Sequence, residues 1–178
     1  MIFPGMSDAP GFDDPLEMLR ACHGRIQSQC ATLEKLRVHL PVHGCDLQAR
    51  QAALAILRYF DTAGRNHHQD EEQDLFPMLM STSDARALRL VDFLLSRHVE
   101  LDAAWAALRV DLTCIAEGTC ASMENTKVSG FIAAYQSHIE TENAELLPLA
   151  KELLSAEQAE RLGRAMSTRR GVIYPALD

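Results

Sequence analysis

The sequence predicts an all-α fold, an up-down-up-down four-helix bundle with a short C-terminal fifth helix. Three observations carry this. Ala and Leu are abundant while runs of Val, Ile and Thr are scarce, which favours helices over sheets. Four stretches repeat apolar residues at alternating steps of three and four, the spacing of a helix that buries one face. The links between them are short, so successive helices run antiparallel.

Residues 1–13, acidic and broken by Pro and Gly, read as a flexible N-terminus. Asp14 caps the first helix, with Pro15 in its first turn and Glu17 completing a capping box. Its apolar seam is Leu16, Leu19, His23, Ile26, Cys30, Leu33 and Leu40, broken only by Arg37. Residues 41–45 read as a loop, and Asp46 caps the second helix. That seam is Ala53, Leu57, Phe60, Gly64, His67, Glu71, Leu75 and Met78, and Pro77 is expected to kink or end it. The third helix runs from about Asp84 to Glu117 along Val91, Leu94, His98, Leu101, Trp105, Leu108, Leu112 and Ile115, and stops at Gly118. The fourth runs from about Asn125 to Leu154 along Val128, Phe131, Tyr135, His138, Glu142, Leu146, Leu149 and Leu153. Ser155 and Gln158 form a further capping box, opening the fifth helix to about Arg169. In domain terms the bundle spans residues 14–154, and the C-terminal helix and tail span 155–178.

A chain of 178 residues is long enough for one domain with its own core. The net charge of −8, with no basic stripe, argues against nucleic-acid and anionic membrane surfaces. No apolar run approaches ~18 residues, so no membrane span is expected, and the first residues lack the basic and apolar regions of a signal peptide. Five cysteines form no CxxC pair; with no export signal they read as reduced thiols in a cytoplasmic protein.

The informative feature is polar. Each bundle seam carries one His, and the second and fourth also carry a Glu: His23, His67 with Glu71, His98, and His138 with Glu142. Burying six such groups without partners costs ~1–3 kcal/mol each. Two segments repeat one pattern, since His67, Glu71, Leu75, Phe76 and Pro77 match the spacing of His138, Glu142, Leu146, Leu147 and Pro148. Residues four apart share a helix face, so each repeat offers an imidazole beside a carboxylate. At ~1.5 Å per residue, all six lie roughly 10–23 Å from the end of the bundle where the first helix starts, which places them in one layer. Four imidazoles and two carboxylates can hold two metal ions with carboxylate bridges. This donor set suits iron, manganese or zinc, and a di-iron centre is its natural use inside a helix bundle.

Other residues compete for roles. His68 and Glu72 form a rival pair at the same spacing; the apolar stripe favours His67 and Glu71 and leaves His68 as a supporting neighbour or extra ligand. Asp102 reads as an acceptor for His98 or as a surface acid. Tyr135, one turn before His138, is a core aromatic or a phenol within reach of a bound ligand. Cys22 and Trp105 read as packing. His39 and His43 lie toward the opposite end of the bundle and read as solvated.

The segments ACHGRI, HHQDEEQDLFP, SRHVELD and HIETENAELLP together resemble those of the hemerythrin-like (HHE cation-binding) domains, over about residues 14–154. The resemblance implies a non-haem di-iron centre with His23, His67, Glu71, His98, His138 and Glu142 as ligands and the two Glu as bridges. It implies a small ligand (dioxygen, nitric oxide or peroxide) for sensing, scavenging or storage, with a reductant the sequence does not identify. An iron-redox enzyme of peroxidase or nitric-oxide-reducing type, or an iron storage or delivery protein, is the alternative. The chain departs from the oxygen carriers, which have a second His where this chain has Asp102, and an Asp one step beyond the position of Glu142. The symmetric four-His, two-Glu pattern is shared with members that repair iron centres or handle nitric oxide. Reaction with small oxidants or nitric oxide is therefore expected in preference to reversible oxygen carriage.

Overall fold

A computed structural model describes residues 10–174 and contains five helices and no strand among them. The first helix is Pro15–His43. The second is a continuous helical run over 47–81, with π-helical turns at Phe60–Gly64 and Glu71–Leu75. The third is Ala85–Glu117. The fourth covers 125–153 with a π turn at Glu142–Leu146, and the fifth is Ala156–Arg169. Sequence neighbours in the bundle pack side by side and the fourth helix closes against the first. The fifth lies across the first helix and across the second at residues 65–75. Among the described residues no helix is long and apolar enough to cross a membrane.

The caps follow the sequence. Asp46 accepts from the Ala49 amide, Asp84 from those of Arg86 and Ala87, and Ser155 with Gln158 makes both bonds of a capping box. At Asp14 the box is half made: Asp14 accepts from the Glu17 amide, while the Glu17 carboxylate pairs with Arg20. Gly118 ends the third helix at φ 80°, a conformation costly for any residue with a Cβ.

Several expectations need correction. Pro41 lies inside the first helix, which continues to His43 and stops at Gly44, so the expected loop is shorter. Near a helix end a proline forfeits few backbone bonds, and Pro41 is exposed. Pro77 neither ends nor breaks the second helix. The Phe76 N–H reaches back five residues to the Glu71 carbonyl, and before Pro148 the Leu147 N–H bonds the Glu142 carbonyl in the same way. Proline has no N–H and crowds the carbonyl four residues behind it; a widened turn just before it relieves both. Leu57 and Trp105 are half-buried, while Ile56 and Leu36 take fully buried places the seams did not include.

The cysteine expectation also fails. Cys114 and Cys120 form a disulfide across the turn at Gly118, their Cα atoms 5.3 Å apart. The odd total concealed one pair, brought together by the reversal of the chain after the third helix. Cys22, Cys30 and Cys45 are free. The argument from reduced thiols to the cytoplasm therefore loses its footing.

Two apolar clusters fill the bundle. One, at the end where the first helix starts, joins Leu19, Leu75, Phe76, Leu94, Leu146 and Leu147 to Leu162 and Met166 of the fifth helix. The other centres on Ile26, Leu33, Phe60, Leu101, Leu108 and Phe131. Each fully buried side chain of this size contributes roughly 1.5–3 kcal/mol. The polar layer lies between the two clusters.

Of the expected flexible segment 1–13, residues 1–9 lie outside the described residues. Phe12 is packed against the first of these clusters. Gly163 of the fifth helix permits this, because a Cβ there would collide with the Phe12 carbonyl oxygen. Gly163→Ala is expected to destabilise the fold by about 1–3 kcal/mol through overpacking, with metal content unchanged. Thermal unfolding checks this; an unaltered midpoint would mean that Phe12 does not hold this seat in solution.

Candidate metal centre

The structure brings all six predicted side chains together. His23, His67, His98 and His138 are each 1% exposed, and Glu71 and Glu142 are 0% exposed. They form two four-residue cages that share both carboxylates: His23, His67, Glu71 and Glu142 in one, and Glu71, His98, His138 and Glu142 in the other. The carboxylate oxygens are divided between the cages. Glu142 Oε2 is 3.1 Å from His23 Nε2 and 4.0 Å from His67 Nε2, while Oε1 is 2.9 Å from His138 Nε2 and 3.8 Å from His98 Nε2. Glu71 Oε1 is 3.6 Å from His67 Nε2, and its Oε2 is 3.4 Å from His98 Nε2. Each carboxylate thus offers one oxygen to each cage.

The helices explain the convergence. Within each repeat the His and Glu stand one turn apart, and the Glu opens the π turn that the following proline demands. The lone histidines are aimed from neighbouring helices. His98 Nδ1–H donates to Glu72 Oε1 at 2.6 Å, and His23 Nδ1–H donates to Asn143 Oδ1 at 2.9 Å. Glu72 and Asn143 each follow the Glu of their repeat, so the two repeats hold the two lone histidines by the same device. A donating Nδ1 leaves the Nε2 lone pair facing the layer.

The sequence reading missed these two partners. Glu72 read there only as a rival ligand, and Asp102 as an acceptor for His98 or as a surface acid. Asp102 instead stands 3.7 Å from His68 Nδ1, with its side chain 74% exposed. The repeat itself held the signal, since position five after each His is Glu72 in one copy and Asn143 in the other. His68 is buried beside the second cage, stacked on His98 with ring centroids 4.1 Å apart, and its Nε2 is 3.4 Å from the Tyr135 hydroxyl. Cys22 is buried as expected, whereas Trp105 donates its indole N–H to Asp61. His39 and His43 stack on each other far from the layer, and His39 is bonded to Asp46 rather than simply solvated.

Asp70, between His67 and Glu71 in sequence, was not singled out either. It is fully buried and held by the fifth helix and the residue after it. Arg170 Nη2 and Nη1 donate to its two oxygens at 2.6 and 3.1 Å, and Arg169 donates to it as well. Arg169 also donates to Asp74 at 2.6 Å.

The electrostatics of the layer favour a cation. Burial and the nearby Glu142 push Glu71 up to about 8. For Glu142, burial alone would raise the carboxyl, but His138, His23 and His98 outweigh it and hold it well below the usual range. Burial opposes charge on His98, yet Glu142, Glu71 and Glu72 raise it to about 11. His23 is raised in the same way by Glu142 and Glu71 against its burial. His67, wholly buried and beside His23, is lowered well below its ordinary value and stays neutral. Buried polar atoms without hydrogen-bond partners concentrate here: both nitrogens of His67, both oxygens of Glu71 and of Glu142, His23 Nε2 and His138 Nδ1. Each such atom costs ~1–3 kcal/mol unless something binds it. Nitrogen and carboxylate donors at this spacing fit divalent first-row metals. Metal must displace the protons held on His98 and Glu71, so loading is expected to release protons and apparent affinity to rise with pH. Titration of the metal-free protein in weak buffer measures this; no proton release would contradict the protonation pattern above.

Residues 14–150 match the family described as hemerythrin HHE cation binding domain. An uncharacterized protein of Haemophilus influenzae is 33% identical over 161 residues, which is 90% of this chain and 92% of that one.

Proposed function

The chain belongs to the hemerythrin HHE cation-binding family, and from that premise we propose that it holds two iron ions, one in each cage, and reacts there with dioxygen, nitric oxide or hydrogen peroxide in sensing, scavenging or storage. The observation that most supports this is the division of each buried carboxylate between the cages, one oxygen to each. Bound iron would supply reversible electron transfer; manganese or zinc suits the same donors. The six residues that would hold the ions are His23, His67, Glu71, His98, His138 and Glu142, with each Glu offering an oxygen to both cages. Glu72 and Asn143 fix the directions of His98 and His23. The apolar clusters above and below exclude bulk water, which strengthens every charge interaction within the layer.

Turnover of peroxide or nitric oxide is the second reading. It is favoured by His68 and Tyr135, which place further polar groups beside the ligands. Reversible oxygen carriage is disfavoured by Asp102, whose exposed carboxylate stands where an extra imidazole would be needed.

The test begins with elemental analysis and an absorption spectrum of protein from iron-replete cells, with two irons per chain expected. The protein is then reduced anaerobically and exposed to air. The diferric spectrum should form and persist on degassing. A spectral change that reverses on degassing, with the reduced state recovered, would restore oxygen carriage as the function. Zinc in place of iron would make the centre a structural staple.

A further inference from the structure

The two cages differ in what surrounds them. The fifth helix packs across the first helix and residues 65–75 of the second, and Arg170 just beyond it bonds Asp70, between His67 and Glu71 in sequence. Between the second and third helices, on the side of His98, runs a groove of about 680 Å³, lined in part by Gly64, His68, Glu72, Asp102, Trp105 and Tyr135. Its outer end passes Asp102 and Arg109, both exposed. At its inner end Glu72 bonds His98, and His68 covers the face of the His98 ring. His68 therefore stands where the groove meets the second cage.

What His68 does there follows from its orientation. A ring nitrogen of His68 lies within 4.8 Å of ring nitrogens of His98 and His138. Yet the His68 and His98 rings are only 9° from parallel, with centroids 4.1 Å apart. The in-plane lone pairs of two near-parallel rings do not converge, so an ion held by His98 would not be held by His68 as well. His68 is thus poorly placed as a ligand and well placed to touch something bound to the ion. Tyr135 extends the arrangement, being 4% exposed with its hydroxyl 3.4 Å from His68 Nε2. An imidazole and a phenol together offer both a donor and an acceptor.

Resting on the metal-centre reading above, we propose that His68 and Tyr135 form a hydrogen-bonding subsite for an exogenous molecule of two or three heavy atoms, one with oxygen or nitrogen acceptors. That molecule enters through the groove and binds at the position held by His98 and His138. The His23 and His67 position is not where it arrives.

Azide is the probe, with iron content measured first on every protein. His68→Phe keeps the stacked ring and Tyr135→Phe keeps the packing, but each removes hydrogen-bonding atoms. Both should hold parental iron and bind azide about tenfold more weakly, the effect of one lost hydrogen bond of ordinary strength. Ala106→Trp, placed on the groove wall, should slow azide association while leaving its equilibrium affinity near parental. Parental affinities and rates in all three variants, at parental iron content, would overturn the proposal. So would loss of about half the iron in His68→Phe, which would make His68 a ligand. Iron below one per chain in the unsubstituted protein would sink the metal-centre reading itself, and the subsite with it.

Discussion

Glu142→Ala is expected to abolish metal binding in both cages. Its Oε2 faces His23 and its Oε1 faces His138, so one substitution removes an oxygen from each cage. It also removes the anion that most strongly offsets the buried charge of His23 and His98. Loss of partners that merely orient a ligand weakens metal sites by ~10–100-fold, and loss of a shared ligand should exceed the upper end of that range. His67→Ala should also cut metal content sharply, first on the His23 side. His39→Ala and His43→Ala, at the other end of the bundle, should leave it unchanged. Elemental analysis after identical iron-replete expression checks all four. Equal loss from His43→Ala and His67→Ala would mean that the layer has been misplaced. Chelated protein should keep its helices, because both apolar clusters remain, but unfold at a lower temperature as the orphaned atoms lose what bound them.

Arg170→Ala carries the largest expected effect away from the layer. Asp70 is fully buried, and Arg170 engages both of its oxygens. Removing one partner of such a pair leaves an uncompensated charge, at ~3–5 kcal/mol. Arg169 still reaches Asp70, so the lower end of that range is expected. For a chain of this size ~3 kcal/mol corresponds to a fall of roughly 6–12 °C in unfolding midpoint. Replacing both residues with apolar ones should restore much of the loss, since no charge is then left buried alone. Thermal unfolding of the two single variants and the double variant decides this. Additive losses would mean that the pair is not the source.

The four seams, most of the caps and the convergence of the six polar residues were legible because each rests on spacing along one helix. The repeat at His67 and His138, with the shared depth, was enough to bring six residues from four helices into one layer. The missed features depend on contacts that spacing does not encode. Asp70 looks like a surface acid until Arg170, 100 residues later, is placed against it. Glu72 turns off its own seam and serves a histidine on the next helix. Pro77 carries the strongest helix-breaking signal in its segment, yet the helix continues because the preceding turn widens. Cys114 and Cys120 meet only once Gly118 has reversed the chain.

The turns that begin at Glu71 and Glu142 also bear on how such chains can vary. A π turn holds one residue more than the α turn it replaces. A relative without it would show a single-position gap just after the glutamate in an alignment, a change that looks trivial on the page. Each residue of an α-helix rotates the next by about 100°. The widened turn absorbs that extra rotation, so one deletion within it would restore a regular α turn and leave Leu75 and Phe76, or Leu146 and Leu147, facing the cluster they fill. It would also press the following proline against a regular turn. What such a deletion would remove is the residue after the glutamate, Glu72 or Asn143, and with it the bond that aims His98 or His23.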